Sequence, residues 1–226
     1  MSFLIQNKNN IETKMIPITQ METKNKQNYD NICRFDNNEQ NYLQNNGYII
    51  LNKIHNTLQG CTYNATKISD NKVKLVIKKA DIQLVSKKLG KISNKFIKIH
   101  ENILNETVVM MYLTAKHPCK GFVRPVDFLK SKHNYYLIME YGGESMINYC
   151  KRMHKLLNDN KISNIEWNIN CKILFKQMLT YISWIHKNNI CHLDISLENL
   201  LINGYNIDNK ICKFTDNGQI YFIDFG

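Results

Sequence analysis

The segment His192-Leu193-Asp194-Ile195-Ser196-Leu197-Glu198-Asn199 sets a carboxylate and a carboxamide five residues apart, and Asp224-Phe225-Gly226 follows 25 residues after Asn199. Apolar runs flank both: Ile190-Cys191 and Leu200-Leu201-Ile202 around the first, Tyr221-Phe222-Ile223 before the second. Two Asp and one Asn held at strand ends can offer hard oxygen ligands to Mg2+ on a nucleotide, and one of them can accept a proton from an attacking hydroxyl. A cation for phosphate oxygens is present in Leu75-Val76-Ile77-Lys78, where a strand-borne ammonium facing a cleft acts as a point charge. Such a Lys needs a carboxylate to hold it, and the next helical segment offers Glu101 and Glu106. Glu106 lies nearer the apolar stripe that would face the strands, so it is the expected partner and Glu101 the solvated one. Lys79 should point to the opposite face by strand alternation.

The elements that must position these groups follow from periodicity. Residues 48–54, 61–68 and 74–80 read as strands, with Gly60 as a turn residue between the first two. From about Asn94 to Thr114 apolar residues recur at helical spacing, with Pro118 as the breaker. Residues 122–130 and 134–141 read as two more strands. Five strands with a helix inserted after the third form an α+β pattern. Helices are expected over 146–157 and 166–189, the latter with Ile173, Leu174, Met178, Ile182 and Ile185 along one face. Short strands follow at 200–202 and 219–223, around a polar insertion at 203–216 that reads as an extra hairpin. Residues 1–46, rich in Asn, Gln and Lys, read as a disordered extension.

The two motifs together resemble the catalytic loop H-R-D-L-x-x-x-N and the metal-binding D-F-G of eukaryotic protein kinases. The resemblance covers about residues 48–226 and implies a two-lobed kinase-like fold. Its N-lobe would span 47–140, a five-stranded antiparallel sheet with helix C, and an incomplete helical C-lobe would span 141–226. It also implies ATP and Mg2+ as cofactors. Asp194 would orient and deprotonate the substrate hydroxyl, Asn199 and Asp224 would ligate the metal, and Lys78 would meet the α- and β-phosphates while paired with Glu106. In "IMEYGGES" Met139 would be the gatekeeper, the backbone of Glu140 and Tyr141 would meet the adenine, and Glu144 would reach a ribose hydroxyl. Phe225 would pack beneath helix C, and His192 would be a hydrogen-bonded core residue.

Three departures from the family pattern carry consequences. The phosphate-covering loop G-x-G-x-x-G aligns with His55, Thr57 and Gly60, so one glycine remains, a turn residue and candidate phosphate contact. Ala65 falls at the position of the family's adenine-ceiling Ala. Leu193 replaces the Arg that reads a phosphorylated activation loop, so activity would not need that phosphorylation. Ser196 removes a positive charge beside the γ-phosphate.

Composition bounds the remaining possibilities. The net charge is +11, and residues 1–46 balance five basic against five acidic residues, so the excess lies in 47–226. No basic–aromatic array accompanies it, which disfavours a nucleic-acid partner. The seven cysteines show no zinc-type spacing, and scattered thiols fit a reducing compartment. With no membrane span, an intracellular, cytoplasmic protein acting on a protein substrate is expected. The reaction expected is phosphoryl transfer to a Ser/Thr hydroxyl, with a pseudokinase scaffold and a small-molecule phosphotransferase as the alternatives. Because the chain stops at Gly226, before a peptide-gripping region, it is expected to be unstable or inactive alone, with apolar faces of the 166–189 helix exposed.

Overall fold

The computed structural model describes residues 33, 35–92, 95–116, 121–203 and 219–225. The first helix, α1 (Asn37–Asn45), is capped by the Asp36 carboxylate, which accepts the Glu39 N–H at 2.7 Å. Strands β1 (Tyr48–Asn56), β2 (Gly60–Lys67) and β3 (Lys74–Asp81) follow. A short helix α2 (Ile82–Lys87) then leads to a two-stranded hairpin, β4 (Leu89–Ile92) with β5 (Lys95–Lys98). Next come α3 (Ile103–Lys116), β6 (Gly121–Phe122), β7 (Pro125–Lys130) and β8 (Asn134–Glu140). The rest is β9 (Glu144–Ser145), α4 (Met146–Asn158), α5 (Asn164–Lys187), β10 (Leu200–Asn203) and β11 (Gln219–Phe222).

An antiparallel five-stranded sheet, ordered β1-β2-β3-β8-β7, stands beside a smaller sheet ordered β6-β11-β10-β9. The fold class is therefore α+β, as the pattern of elements implied. Side chains alternate across the larger sheet and serve two cores. Leu75, Ile77, Tyr136 and Ile138 lie on the face covered by α1, packed with Leu43 and Tyr48. Ala80, Leu137 and Met139 lie on the other, joined to Ile103, Met110 and Leu113 of α3 and to Phe122, Leu200, Phe222 and Phe225. This second core runs unbroken from the larger sheet into the smaller one and holds them together.

Several expectations change. The disordered extension through residue 46 does not hold for 37–45, because α1 buries Leu43 against the sheet; residues 1–32 and 34 lie outside the described residues. The helix expected from Asn94 starts at Ile103 instead. Phe96 and Ile97 alternate as a strand and pair with β4, and the Asn102 side chain accepts the Leu104 N–H at 2.9 Å where the helix begins. Strand content at 122–130 is split, since β6 ends at Phe122 and β7 begins at Pro125. The hairpin insertion expected at 203–216 falls, beyond Asn203, outside the described residues. Cys33 and Cys61 are joined by a disulfide with Cα atoms 5.6 Å apart, so the scattered-thiol reading fails for that pair. On α5, Leu174 and Ile185 are buried but Ile173 is exposed, as are Ile165, Phe175 and Leu179. A cavity of about 620 Å3 lies along that helix, lined by Phe175, Leu179 and Trp184. No helix among the described residues is long and apolar enough to cross a membrane.

Candidate active site

Two devices bring the chemistry together. The first is α3, whose buried stripe is Ile103, Glu106, Thr107, Met110 and Leu113. Glu106 occupies an inward position of an otherwise apolar stripe, so the helix delivers its carboxylate to the interior at 2 % exposure. The second is the β10–β11 hairpin, where Leu200 pairs with Phe222. That register sets Asn199, just before β10, beside Ile223, just after β11, and the Ile223 N–H donates to the Asn199 carbonyl at 3.1 Å. The loop of Asp194 and Asn199 and the segment of Asp224 and Phe225 are thus neighbours whatever the length of chain between the two strands.

Lys78 sits at the meeting point. Its Nζ lies 2.7 Å from Glu106 Oε2, 2.7 Å from Asp224 Oδ1 and 3.2 Å from Glu101 Oε1. Burial by itself pushes the ammonium pKa down, but the three carboxylates, Glu106 foremost, reverse this and hold it above its ordinary value. Burial raises the Glu106 pKa, and Lys78 offsets this only in part. Glu101, expected to be solvated, is instead the third carboxylate, positioned just before α3. Its sequence signal was its place two residues ahead of the helix that carries Glu106.

In the loop from His192 to Asn199 the exposed Asp194 accepts the Asn199 Nδ2–H at Oδ2 (2.8 Å) and at its carbonyl (3.0 Å). His192 is buried, with its ring centroid 4.5 Å from that of Phe225 and 5.6 Å from that of Phe222. Its Nδ1 faces the Asp194 N–H at 3.4 Å as acceptor, which leaves Nε2 to donate to the Ile223 carbonyl at 2.9 Å. One imidazole therefore fixes the spacing between the loop of Asp194 and that of Asp224. Leu193 and Asp224 both adopt left-handed backbone, φ 67° and 65°, and the Leu193 side chain is 90 % exposed. No residue around Leu193 was suggested by the sequence to need it there.

Other expected site residues divide. Met139 shares the Lys78 face, opposite Val76 in the β3–β8 register. Ala65 does not: it pairs with Leu75 and is buried in the cluster under α1, because residues at odd separation from Lys78's partner Thr62 point away from the cleft. Thr62 and Val76, which the motif alignment passed over, are among the β2 and β3 residues on the Lys78 face. The Glu140 N–H donates to the Arg124 carbonyl (2.9 Å) and the Tyr141 N–H to the Lys74 carbonyl (3.3 Å), so any backbone contact of these two residues with a base would fall to their carbonyls. The Glu144 carboxylate is engaged by the Arg152 guanidinium. Gly60 opens β2 rather than sitting in the turn, and a Cβ there would lie 2.0 Å from the Lys79 carbonyl oxygen, so close strand approach explains the glycine.

The donor set fits a hard divalent cation. Three carboxylates surround one ammonium, leaving excess negative charge, and Asn199 supplies a carboxamide oxygen beside Asp194. No cluster of three or more His, Cys, Asp or Glu forms a ready metal cage among the described residues. Mg2+ in phosphate sites needs none, since it takes one or two carboxylates and completes its shell with phosphate oxygens and water.

Comparison with known proteins agrees with this geometry. Residues 69–226 match the family model described as the protein kinase domain. The chain is 32% identical over 120 residues to the serine/threonine-protein kinase SRK2I of Arabidopsis thaliana, covering 52% of this chain and 29% of that protein. It is 29% identical over 121 residues to serine/threonine-protein kinase SAPK1 of Oryza sativa subsp. japonica, covering 52% and 31%. It is 26% identical over 138 residues to the probable serine/threonine-protein kinase fhkA of Dictyostelium discoideum, covering 61% and 21%. The chain spans less than a third of the length of these curated relatives.

Proposed function

The chain belongs to the protein kinase family, and from that premise we propose that it binds MgATP and takes part in phosphoryl transfer to a serine or threonine hydroxyl of a protein. The observation that carries the proposal is the convergence of Lys78, Glu106 and Asp224 within 2.7 Å contacts, next to the Asp194–Asn199 loop. Lys78, oriented by Glu106 and Glu101, would meet phosphate oxygens; Asp224 and Asn199 would hold Mg2+, which when bound neutralises charge on the transferred group. Asp194 is exposed and held by Asn199, so its carboxylate can align a substrate hydroxyl and take its proton. Met139 would border the base, and Glu144 would reach the ribose only by sharing with Arg152. Leu193 leaves the loop without a cation, so the proposed activity is independent of activation-segment phosphorylation.

A pseudokinase reading is favoured by one feature, the lid with His55 and Thr57 where glycines are expected. A thermal-shift titration with MgATP, followed by phosphate transfer to a Ser/Thr peptide library, separates the two. Stabilisation with transfer supports the proposal, and stabilisation without transfer leaves the scaffold reading. An intracellular, cytoplasmic location is part of the proposal.

A further inference from the structure

The turn between β1 and β2 would cover the phosphates, yet it is built unlike a glycine turn. Its backbone is anchored to its neighbours: the Thr57 N–H donates to the Gly60 carbonyl at 2.9 Å, the Gln59 carbonyl accepts the Asp81 N–H at 2.9 Å, and the Leu58 carbonyl accepts the Lys91 N–H at 2.7 Å. The buried Gln59 side chain adds a donated bond to the Leu89 carbonyl at 3.2 Å. Strand β4 therefore ties the turn down, and packing repeats the restraint, since a Cβ on Gly90 would lie 3.0 Å from both Leu58 and Ile99. A turn held this way cannot fold its amides around a polyanion as a free glycine loop does.

A side chain stands where those amides would act. His55 pairs with Thr62 across β1 and β2, and Thr62 pairs with Lys78 across β2 and β3, forming one row. His55 Nε2 lies 3.4 Å from Thr62 Oγ1, which puts the imidazole on the Lys78 face of the sheet. Resting on the nucleotide-binding reading above, we propose that His55 is the phosphate-contacting donor of this lid, replacing the glycine amides. The charges it senses agree: burial lowers its pKa, the Lys78 ammonium lowers it further, and Asp224 opposes them. These two ionic groups bracket the phosphates in the proposed site.

Calorimetric titration of the chain with MgATP, tripolyphosphate and adenosine tests this. His55→Ala should weaken MgATP and tripolyphosphate binding by roughly tenfold to a hundredfold, the scale of one hydrogen bond to a charged group, and leave adenosine binding unchanged. His55→Gln, which keeps a donor, should recover most of the loss. His55→Gly should behave like His55→Ala, because the turn remains tied to β4. Equal MgATP binding by wild type and His55→Ala, an equal loss for adenosine, or full rescue by His55→Gly would each overturn the assignment. Wild-type protein that binds neither MgATP nor adenosine would overturn the nucleotide-binding reading itself, and His55 with it.

Discussion

Lys78 and Lys79 are adjacent in β3, both buried and both ion-paired, yet they sit in opposite kinds of site. Lys79 points under α1, where Glu39 Oε2 meets its Nζ at 2.8 Å and the Phe35 ring lies 4.5 Å away. The other oxygen of Glu39 accepts the Tyr136 hydroxyl at 2.7 Å and the Asn134 amide. Lys79 thus meets a carboxylate whose two oxygens are both engaged within the fold. Lys78 faces Glu101, Glu106 and Asp224, three carboxylates on one ammonium. That excess negative charge is costly in the unliganded fold and useful only when a cation arrives. The difference teaches how to separate structure from function in this molecule: closed charge sets hold the fold, and unbalanced ones await a ligand.

Substitutions can break the contrast. The largest effect belongs to the functional side, where Asp194→Asn should lower phosphoryl transfer by roughly 10^2 to 10^4 with little change in melting temperature, read by peptide phosphorylation and calorimetry. Next, Lys79→Met should cost about 3 kcal/mol of stability, because it strands the Glu39 carboxylate, while the MgATP-induced thermal shift persists. If that shift vanished, the two lysines would not be independent.

Glu106→Gln sharpens the contrast through pH. Burial raises the Glu106 pKa above its ordinary 4.5, so its ionisation opposes folding. This penalty is absent below the unfolded value and grows as pH rises toward the folded one. Glu106→Gln should therefore gain melting temperature relative to wild type between pH 4.5 and neutrality, yet lose MgATP affinity. A variant less stable than wild type at every pH would refute the unbalanced-charge reading. The smallest effect is expected for Phe35→Leu, about 1 kcal/mol from the lost cation–π contact, with nucleotide binding unaltered in the same titration.

Much of the scaffold was legible because it rests on short-range pattern. Alternation in 74–80 placed Lys78 and Lys79 on opposite faces, and the 3.6-residue stripe of α3 carried Glu106 inward. What escaped depended on partners elsewhere in the chain. In α1, Leu43 is the buried residue of a polar helix, so periodicity is weak and its order comes from docking on the sheet. The β4–β5 hairpin was hidden by Ile99 and Ile103, whose spacing mimics a helix. Ala65 was misplaced because motif alignment counts residues, whereas the sheet assigns faces by parity. Glu101 was read as solvated because its carboxylate is drawn in only by Lys78.

By itself the sequence determined which groups could do chemistry: Asp194, Asn199 and Asp224 in two local motifs, and Lys78 on a strand. Local composition suffices for that, since side-chain type and strand parity need no distant partner. The sequence also pointed to Glu106 as the partner of Lys78, but only the tertiary structure decided that Asp224 meets the same ammonium from 146 residues away. It also decided that Glu101 joins them and that the lid is tied to β4. Those contacts arise from sheet register and helix docking, which are long-range closures that no residue spacing encodes.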